Sequence, residues 1–123
     1  MVGAGHAGIE AALSSARLGL TVLLATNNKS RVGFMSCNPS IGGLGKGHIV
    51  KEIDTLGGSM GVFSDYSCIQ FKRLNENKGP AVRGSRAQCD KNIYSDFALK
   101  TLSNTNGLTL AELEINELII NNG

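Results

Sequence analysis

The chain has 123 residues, of which 41% are hydrophobic and 18% are charged, and its formal net charge is +2. This length predicts one domain, and a mean hydropathy near zero excludes a mainly disordered or collagen-like protein. No apolar run approaches the roughly 20 residues that cross a bilayer, and no signal-peptide pattern opens the chain. We therefore expect a cytoplasmic protein without a membrane partner. Its three cysteines have neither metal-finger spacing nor a paired framework, which predicts no metal site and no disulfide.

The chain opens with a glycine-rich segment that leads directly into a helical pattern. Residues 3–8 carry three glycines, and apolar residues then recur at helical spacing up to Gly19. The apolar run of residues 20–25 predicts a buried strand. Glycine turn, helix and strand form the second half of a βαβ unit. Residues 1–123 are therefore predicted to form a partial Rossmann-like α/β domain with a parallel sheet, its first strand truncated and both of its ends cut.

The remaining elements are predicted from apolar spacing and from the residues that break it. Residues 27–47 are rich in glycine and asparagine, which predicts a long functional loop. A helix follows and stops at Gly57, and Gly79-Pro80 predicts a turn. Ser85 is a suitable cap for a helix over residues 86–103. Three short strands are predicted, over residues 69–74, 108–110 and 115–120.

The opening glycines are typical of a dinucleotide-binding loop. Gly3 permits a tight turn, Gly5 lets the backbone approach a pyrophosphate, and Gly8 lets the helix pack closely on the sheet. The helix N-terminus then offers free N–H groups to phosphate. An acid commonly binds the ribose at the end of the second strand, but Thr26 stands there in this chain. The loop alone does not decide between FAD and NAD.

A second glycine-rich stretch covers residues 42–47 and contains Lys46. It fails the P-loop pattern because Ser40 replaces the first glycine and Gly47 follows the lysine. The stretch is compatible with contacts to the same cofactor, or with an ordinary loop. Nearby Cys37 is either a nucleophile or a small buried residue, and local features favour the second. Cys68, beside a strand, and Cys89, on the predicted helix, are interpreted as structural.

Cations are concentrated between residues 72 and 91. Lys72, Arg73, Lys78, Arg83, Arg86 and Lys91 face only Glu76 and Asp90 as acids in that stretch. Arginine grips phosphate or carboxylate with two hydrogen bonds, so Lys78, Arg83 and Arg86 are candidate anion-binding residues, together with Lys46 of the preceding stretch. A solvated charged face explains the same pattern.

Three stretches together resemble the glucose-inhibited division protein A family. They are GAGHAGIEAA from Gly3, SCNPSIGGLGKGH from Ser36, and KGPAVR from Lys78 with the following Arg86-Ala87-Gln88. The match runs in register from Gly3 to about Ile120. General flavin disulfide reductases share only the first stretch.

The resemblance implies a fold and a chemistry. Members of the family bind FAD, are reduced by NADH and take a carbon from methylenetetrahydrofolate. With a GTPase partner they install an aminomethyl-type group at C5 of the wobble uridine in tRNA, and the full-length protein is expected to be a homodimer. FAD contacts would fall on Gly3, Ala4, Gly5, His6, Ala7 and Gly8, with a main-chain contact to adenine at Ile115. Cys37 matches a cysteine implicated in the modification and is therefore assigned a catalytic role.

Two other functions stay open from the sequence. A folate- and FAD-dependent tRNA uridine methyltransferase shares the opening motif, and a non-catalytic dinucleotide- or RNA-binding module would use the cations of residues 72–91. Location in a mitochondrial matrix is compatible with the same residues. Because the first strand is short, we expect the isolated 123-residue chain to bind FAD poorly and to catalyse nothing.

Overall fold

The fold is taken from a computed structural model, which describes residues 1–36 and 38–120. The described chain contains four α-helices, five β-strands and three short 3₁₀ turns. The helices are α1 (His6–Arg17), α2 (Lys46–Thr55), α3 (Met60–Tyr66) and α4 (Lys91–Ser103). The strands are β1 (Val22–Thr26), β2 (Ser40–Gly42), β3 (Cys68–Leu74), β4 (Gly84–Cys89) and β5 (Leu108–Glu112).

The first sheet is parallel. Strand β1 pairs with β5 in a register that places Val22 opposite Leu108 and Thr26 opposite Glu112. Residues 1–3 lie along the other side of β1, where the Gly3 amide donates to Ala25 O at 2.8 Å. All three segments run the same way, so their carboxyl ends meet at one edge. The α/β class, the parallel sheet and the Rossmann-like arrangement are confirmed.

Helices α1 and α4 pack next to each other on this sheet. One buried apolar cluster contains Ile9 and Leu13 of α1, the fully buried Leu24 of β1, and Tyr94 and Leu102 of α4. Each buried side chain of this size stabilises the fold by about 1.5–3 kcal/mol. The core therefore holds the glycine segment before α1 against a rigid sheet.

The second sheet is antiparallel, in the order β2–β4–β3. Ile41 and Ala87 are paired in register on its inner face and are buried. Helices α2 and α3 contact the sheet, and Phe63 of α3 reaches the shared core. The outer face of the sheet carries the residues that alternate with these. This face is open to solvent along β3, in which every residue is exposed except the partly buried Leu74.

One carboxylate ties the two parts of the core together. Glu10, in the second turn of α1, accepts hydrogen bonds from the amides of Ser59 (2.8 Å) and Met60 (2.5 Å) at the start of α3. Ser59 offers no side-chain cap of its own. The N–H groups that open a helix need such partners, so α3 is capped by a residue 49 positions earlier in the chain.

The predicted helix over residues 86–103 is wrong in its first turn. Residues 84–89 form β4, and α4 begins at Lys91. Asp90 caps α4 instead of Ser85, its Oδ1 accepting from the amides of Asn92 (2.8 Å) and Ile93 (3.1 Å). Helix-favouring residues such as Arg86 and Ala87 are held in a strand because β3 and β2 pair with them on both sides. Cys89 accordingly ends a strand and is not on a helix.

Three further differences concern short elements. Residues 115–120 form no strand, because the last ladder bond of β5 runs from the Leu113 amide to Thr26 O. The predicted loop over residues 27–47 contains β2 and the beginning of α2, and helix α3 was not predicted. Helical spacing predicts one apolar face for Ile49, Val50, Ile53 and Leu56. In the structure Val50 packs against the core, Ile49 is 57% exposed, and Leu56, just after α2, is 85% exposed. Among the described residues, no helix combines the length and apolarity that crossing a membrane requires.

Candidate dinucleotide-binding site

A cleft of about 360 Å³ opens at the carboxyl edge of the parallel sheet. Each of the three parallel segments contributes to it at its carboxyl end. The lining residues are Val2, Gly3, Ala25, Thr26, Asn27, Leu113, Glu114 and Ile115. In open α/β sheets, ligands bind in such a crevice outside the carboxyl ends of the strands. The cleft is therefore the candidate binding site of this chain.

The glycine turn beside the cleft has geometry that side chains would break. Gly3 has a φ of +89°, a conformation that favours glycine. A Cβ on Gly8 would lie 1.9 Å from the carbonyl oxygen of Gly3. Helix α1 therefore approaches the preceding turn more closely than any side chain at position 8 allows. The close approach at Gly8 is thus to the turn, and Leu24 of β1 lies at an ordinary 3.8 Å from the same Cβ position.

The N-terminus of α1 is open toward ligands. Its N-cap residue Gly5 has no side chain to cap the helix, and a Cβ built on Gly5 meets no atom within 4 Å. The first amides of the helix have no partner within the helix and attract anions. Space beside Gly5 and unpaired helix amides are what a pyrophosphate requires, so these residues fit an anionic dinucleotide.

His6 begins α1 and is held as a neutral imidazole. Burial lowers its pKa, and the positive charge of Lys46 lowers it further, against a smaller opposing effect of Glu10. Burial also raises the pKa of the Tyr94 hydroxyl, whose oxygen lies 3.3 Å from Nδ1 of His6, within hydrogen-bond distance. Tyr94 contacts His6 edge to face, which fixes the ring at the start of the helix.

The end of β1 lacks the usual acid, and a different acid lies nearby. Thr26 is 8% exposed, and its hydroxyl is 3.4 Å from both the amide and the carbonyl oxygen of Asn28. Glu114, which follows β5, lines the same cleft. The sequence interpretation missed Glu114. The signal that would have found it is the pairing of Thr26 with Glu112, which brings the residues after β5 beside the end of β1.

Comparisons with known proteins agree with this geometry. The sequence model of the family described as "Glucose inhibited division protein A" matches residues 1–123. The chain belongs to this family. It is 62% identical over 120 residues to the tRNA uridine 5-carboxymethylaminomethyl modification enzyme MnmG of Bdellovibrio bacteriovorus, covering 98% of this chain and 19% of the relative.

Solved structures of the glucose-inhibited division protein A family have the same fold. Two crystal forms of Aquifex aeolicus GidA each match with a TM-score of 0.94 and 47% identity over 98% of this chain. The match covers 20% of the Aquifex chain. This chain thus spans about a fifth of the length of the relatives it matches.

The structure brings some of the predicted site residues of this family member together. Gly3 and Ile115 line one cleft, as a contact of both to the same ligand would require. Ala4 is buried, and its carbonyl oxygen accepts from the Gly33 amide at 2.9 Å, so it anchors the turn. Ala7 is exposed on the first turn of α1. Lys46 opens α2, where its Nζ donates to Ser40 O at 3.2 Å.

The predicted anion-binding cations are spread over separate elements. Lys78 ends the 3₁₀ turn Glu76–Lys78, and Nε of Arg83 donates to the carbonyl oxygen of Glu76 at 3.0 Å. Arg86 lies on β4 and lines a cleft on the outer face of the second sheet, without the other three predicted cations. Lys72 of β3, which belongs to the basic stretch of residues 72–91, lines that cleft with Arg86.

The cysteines fall into three classes. Cys37, the predicted catalytic residue, lies outside the described residues. Cys89 is buried and within 3.5 Å of the Ser64 hydroxyl, whereas Cys68 is exposed at the start of β3. In the part of the chain that the structure describes, no group of three or more His, Cys, Asp or Glu residues is placed to hold a metal ion.

Proposed function

We propose that this chain forms part of the FAD site of an enzyme that modifies the wobble uridine of tRNA. The observation that carries the proposal is the open glycine turn at Gly3–Gly8, in a chain 62% identical to a protein named as a tRNA uridine modification enzyme. The turn supplies the features that a dinucleotide needs, and the relative supplies the substrate class.

In this proposal the parts of the cofactor lie along the described cleft. The pyrophosphate occupies the space beside Gly5 and accepts hydrogen bonds from the first amides of α1. The adenosine half lies at the carboxyl edge of the sheet, with Ile115 beside the adenine and Asn27 or Glu114 within reach of the ribose. His6, whose pKa is lowered by burial and by the charge of Lys46, adds no positive charge of its own to the turn. Bound FAD would supply two-electron redox chemistry, with NADH as its reductant and methylenetetrahydrofolate as the one-carbon donor of the reaction.

Cys37 is proposed as the catalytic residue that reacts with substrate. Its neighbours Ser36 and Asn38 line a cleft of about 340 Å³, together with Asp90 and Lys91 at the start of α4. The assignment is supported by the family to which the chain belongs. A cysteine thiolate is a strong nucleophile, which suits a residue that reacts with substrate.

The remaining parts of the proposal concern the whole protein. We propose that it acts in the cytoplasm, as a homodimer, and with a GTPase subunit that completes the modification complex. The mitochondrial matrix is the alternative location. These proposals are supported by the family to which the chain belongs.

Nucleoside mass spectrometry of tRNA tests the proposal. In cells that lack the gene encoding this chain, we expect 5-aminomethyl-type wobble uridines to disappear while ribothymidine remains. Loss of ribothymidine with intact wobble uridines would instead identify the folate- and FAD-dependent methyltransferase. No change in either nucleoside would favour a non-catalytic dinucleotide- or RNA-binding module.

Complementation with the Cys37→Ser gene separates catalysis from binding. We expect the variant protein to retain FAD and to leave the wobble uridine unmodified, because serine does not replace a thiolate as a nucleophile. The matched control is Cys68→Ser, an exposed cysteine outside the proposed site, which should restore modification. Restoration by Cys37→Ser would remove Cys37 from the chemistry.

A further inference from the structure

The outer face of the second sheet carries a polar cleft that the FAD site does not use. Its volume is about 250 Å³, and its lining residues are Gln70, Lys72, Leu74, Arg86 and Gln88. All five belong to the paired strands β3 and β4, so a sheet fixes their spacing. The cleft is smaller than the pockets that enclose whole cofactors. Its size suits one charged group with a small part of the molecule that bears it.

Two positive charges face each other across this cleft. Lys72 of β3 and Arg86 of β4 are directly opposite in the antiparallel register. Side chains of directly opposite residues start about 5 Å apart, and like charges in such a pair destabilise the sheet. None of the five lining residues is acidic. An anion between Lys72 and Arg86 would turn this repulsion into attraction.

Hydrogen-bonding groups flank the charges on one side. Gln70 is opposite Gln88, and this pair is next to the Lys72–Arg86 pair on the same face of the sheet. Their amides offer both donors and acceptors. On the β2 side, Arg86 is opposite Gly42 and Gln88 is opposite Ser40, so only small residues border the cleft there. A chain molecule can therefore enter over β2 and present one anionic group to the cation pair.

We propose that this cleft binds one backbone phosphate of the tRNA substrate, with Lys72 and Arg86 holding the phosphate oxygens. The amides of Gln70 and Gln88 then face the adjacent ribose or base edge. A phosphodiester satisfies the cleft because it is a single negative charge with two free oxygens, which arginine binds with two parallel hydrogen bonds. This inference rests on the proposed function, since it names where that substrate contacts the protein.

The test measures binding of unmodified tRNA to the full natural protein with FAD bound, at several salt concentrations. The double variant Lys72→Gln/Arg86→Gln should bind tRNA at least about 10-fold more weakly. The slope of log affinity against log salt should fall in magnitude by about 1, because one phosphate contact is lost. FAD content should equal that of the wild type. The exposed pair Lys51→Gln/Lys100→Gln removes the same charge elsewhere and should change neither quantity.

Different outcomes refute different statements. Unchanged affinity and salt slope in the double variant, with tRNA bound normally by the wild type, would overturn this assignment alone. A wild-type protein that binds no tRNA would overturn the proposed function and this inference with it. If the double variant loses FAD, the single variant Lys72→Gln on the exposed strand β3 gives the test. The charge-preserving variant Lys72→Arg/Arg86→Lys should retain the wild-type slope, because the slope depends on the charges that neutralise the phosphate; a reduced slope there would contradict the assigned phosphate contact.

Discussion

Alanine at Gly5 and alanine at Gly8 should have opposite effects on stability and the same effect on cofactor binding. Gly5 has a φ of −76° and an extended ψ of −179°, which alanine adopts without strain, and a Cβ there meets no protein atom within 4 Å. Gly→Ala at such a position stabilises a protein by about 0.4–1 kcal/mol, because the unfolded chain loses freedom. Any loss of FAD affinity in Gly5→Ala must then come from the space that the ligand occupies.

Gly8→Ala should damage the fold itself. The new Cβ would lie 1.9 Å from the carbonyl oxygen of Gly3, so α1 and the turn must separate by about 1.5 Å to reach ordinary contact at 3.4 Å. That movement strains the hydrogen bond from the Gly3 amide to Ala25 O. Overpacking costs about 1–3 kcal/mol. Alanine recovers at most about 1 kcal/mol through helix propensity, so we expect net destabilisation of about 1–2 kcal/mol.

Two measurements on the natural protein decide between these effects. Denaturant unfolding of the apo-protein gives the change in stability, and a titration followed by flavin absorbance gives the FAD affinity. Both variants should lose at least about 10-fold in FAD affinity, and only Gly8→Ala should unfold more easily. Ser14→Ala, exposed on α1, is the control for helix propensity. Wild-type FAD affinity in Gly5→Ala would refute the placement of the pyrophosphate beside Gly5.

Three further predictions concern stability and pH. Because the pKa of His6 in the fold lies below its ordinary value of 6.5, the unfolded chain takes up the proton first. The free energy of unfolding should therefore fall as the pH drops through that region. Denaturant unfolding at about pH 8 and about pH 5 measures this decrease, which should be smaller in His6→Gln than in the wild type. Glu10→Ala removes the acceptor for two helix amides and should lower the unfolding free energy by about 1–2 kcal/mol, whereas Glu10→Gln should cost less; equal losses would contradict a capping role. Asp90→Ala should cost about 1 kcal/mol through loss of the α4 cap, and Asp90→Asn should restore most of it in thermal unfolding.

The first quarter of the fold was predictable because its signals are local. The glycine spacing of residues 3–8, the helical period up to Gly19 and the apolar run after it each describe an element by neighbouring residues. Strand β4 was not predictable in this way, since Arg86 and Ala87 favour helix and become a strand only by pairing with β2 and β3. Asp90 was the overlooked local signal, because aspartate is a strong N-cap residue.

The residues of the two clefts also include some that the sequence predicts and some that it does not. The three glycines could be assigned roles from spacing alone, because the dinucleotide turn is continuous in sequence. Glu114 and Lys72 could not, because their positions in the two clefts depend on which strands pair and in what register. Knowing that β1 is parallel to β5 and β3 antiparallel to β4 would have placed both.

The cap that Glu10 provides for α3 has a consequence for the order of folding. Its hydrogen bonds to two amides close a loop of about fifty residues, so they form only after α1 has met the start of α3. Helix α3 has seven residues, too few to be stable alone. It should therefore acquire its structure late, on a surface that α1 has already built. Hydrogen exchange of the Ser59 and Met60 amides would then report the integrity of the helix that carries the glycine turn, although neither residue lines the cleft beside that turn.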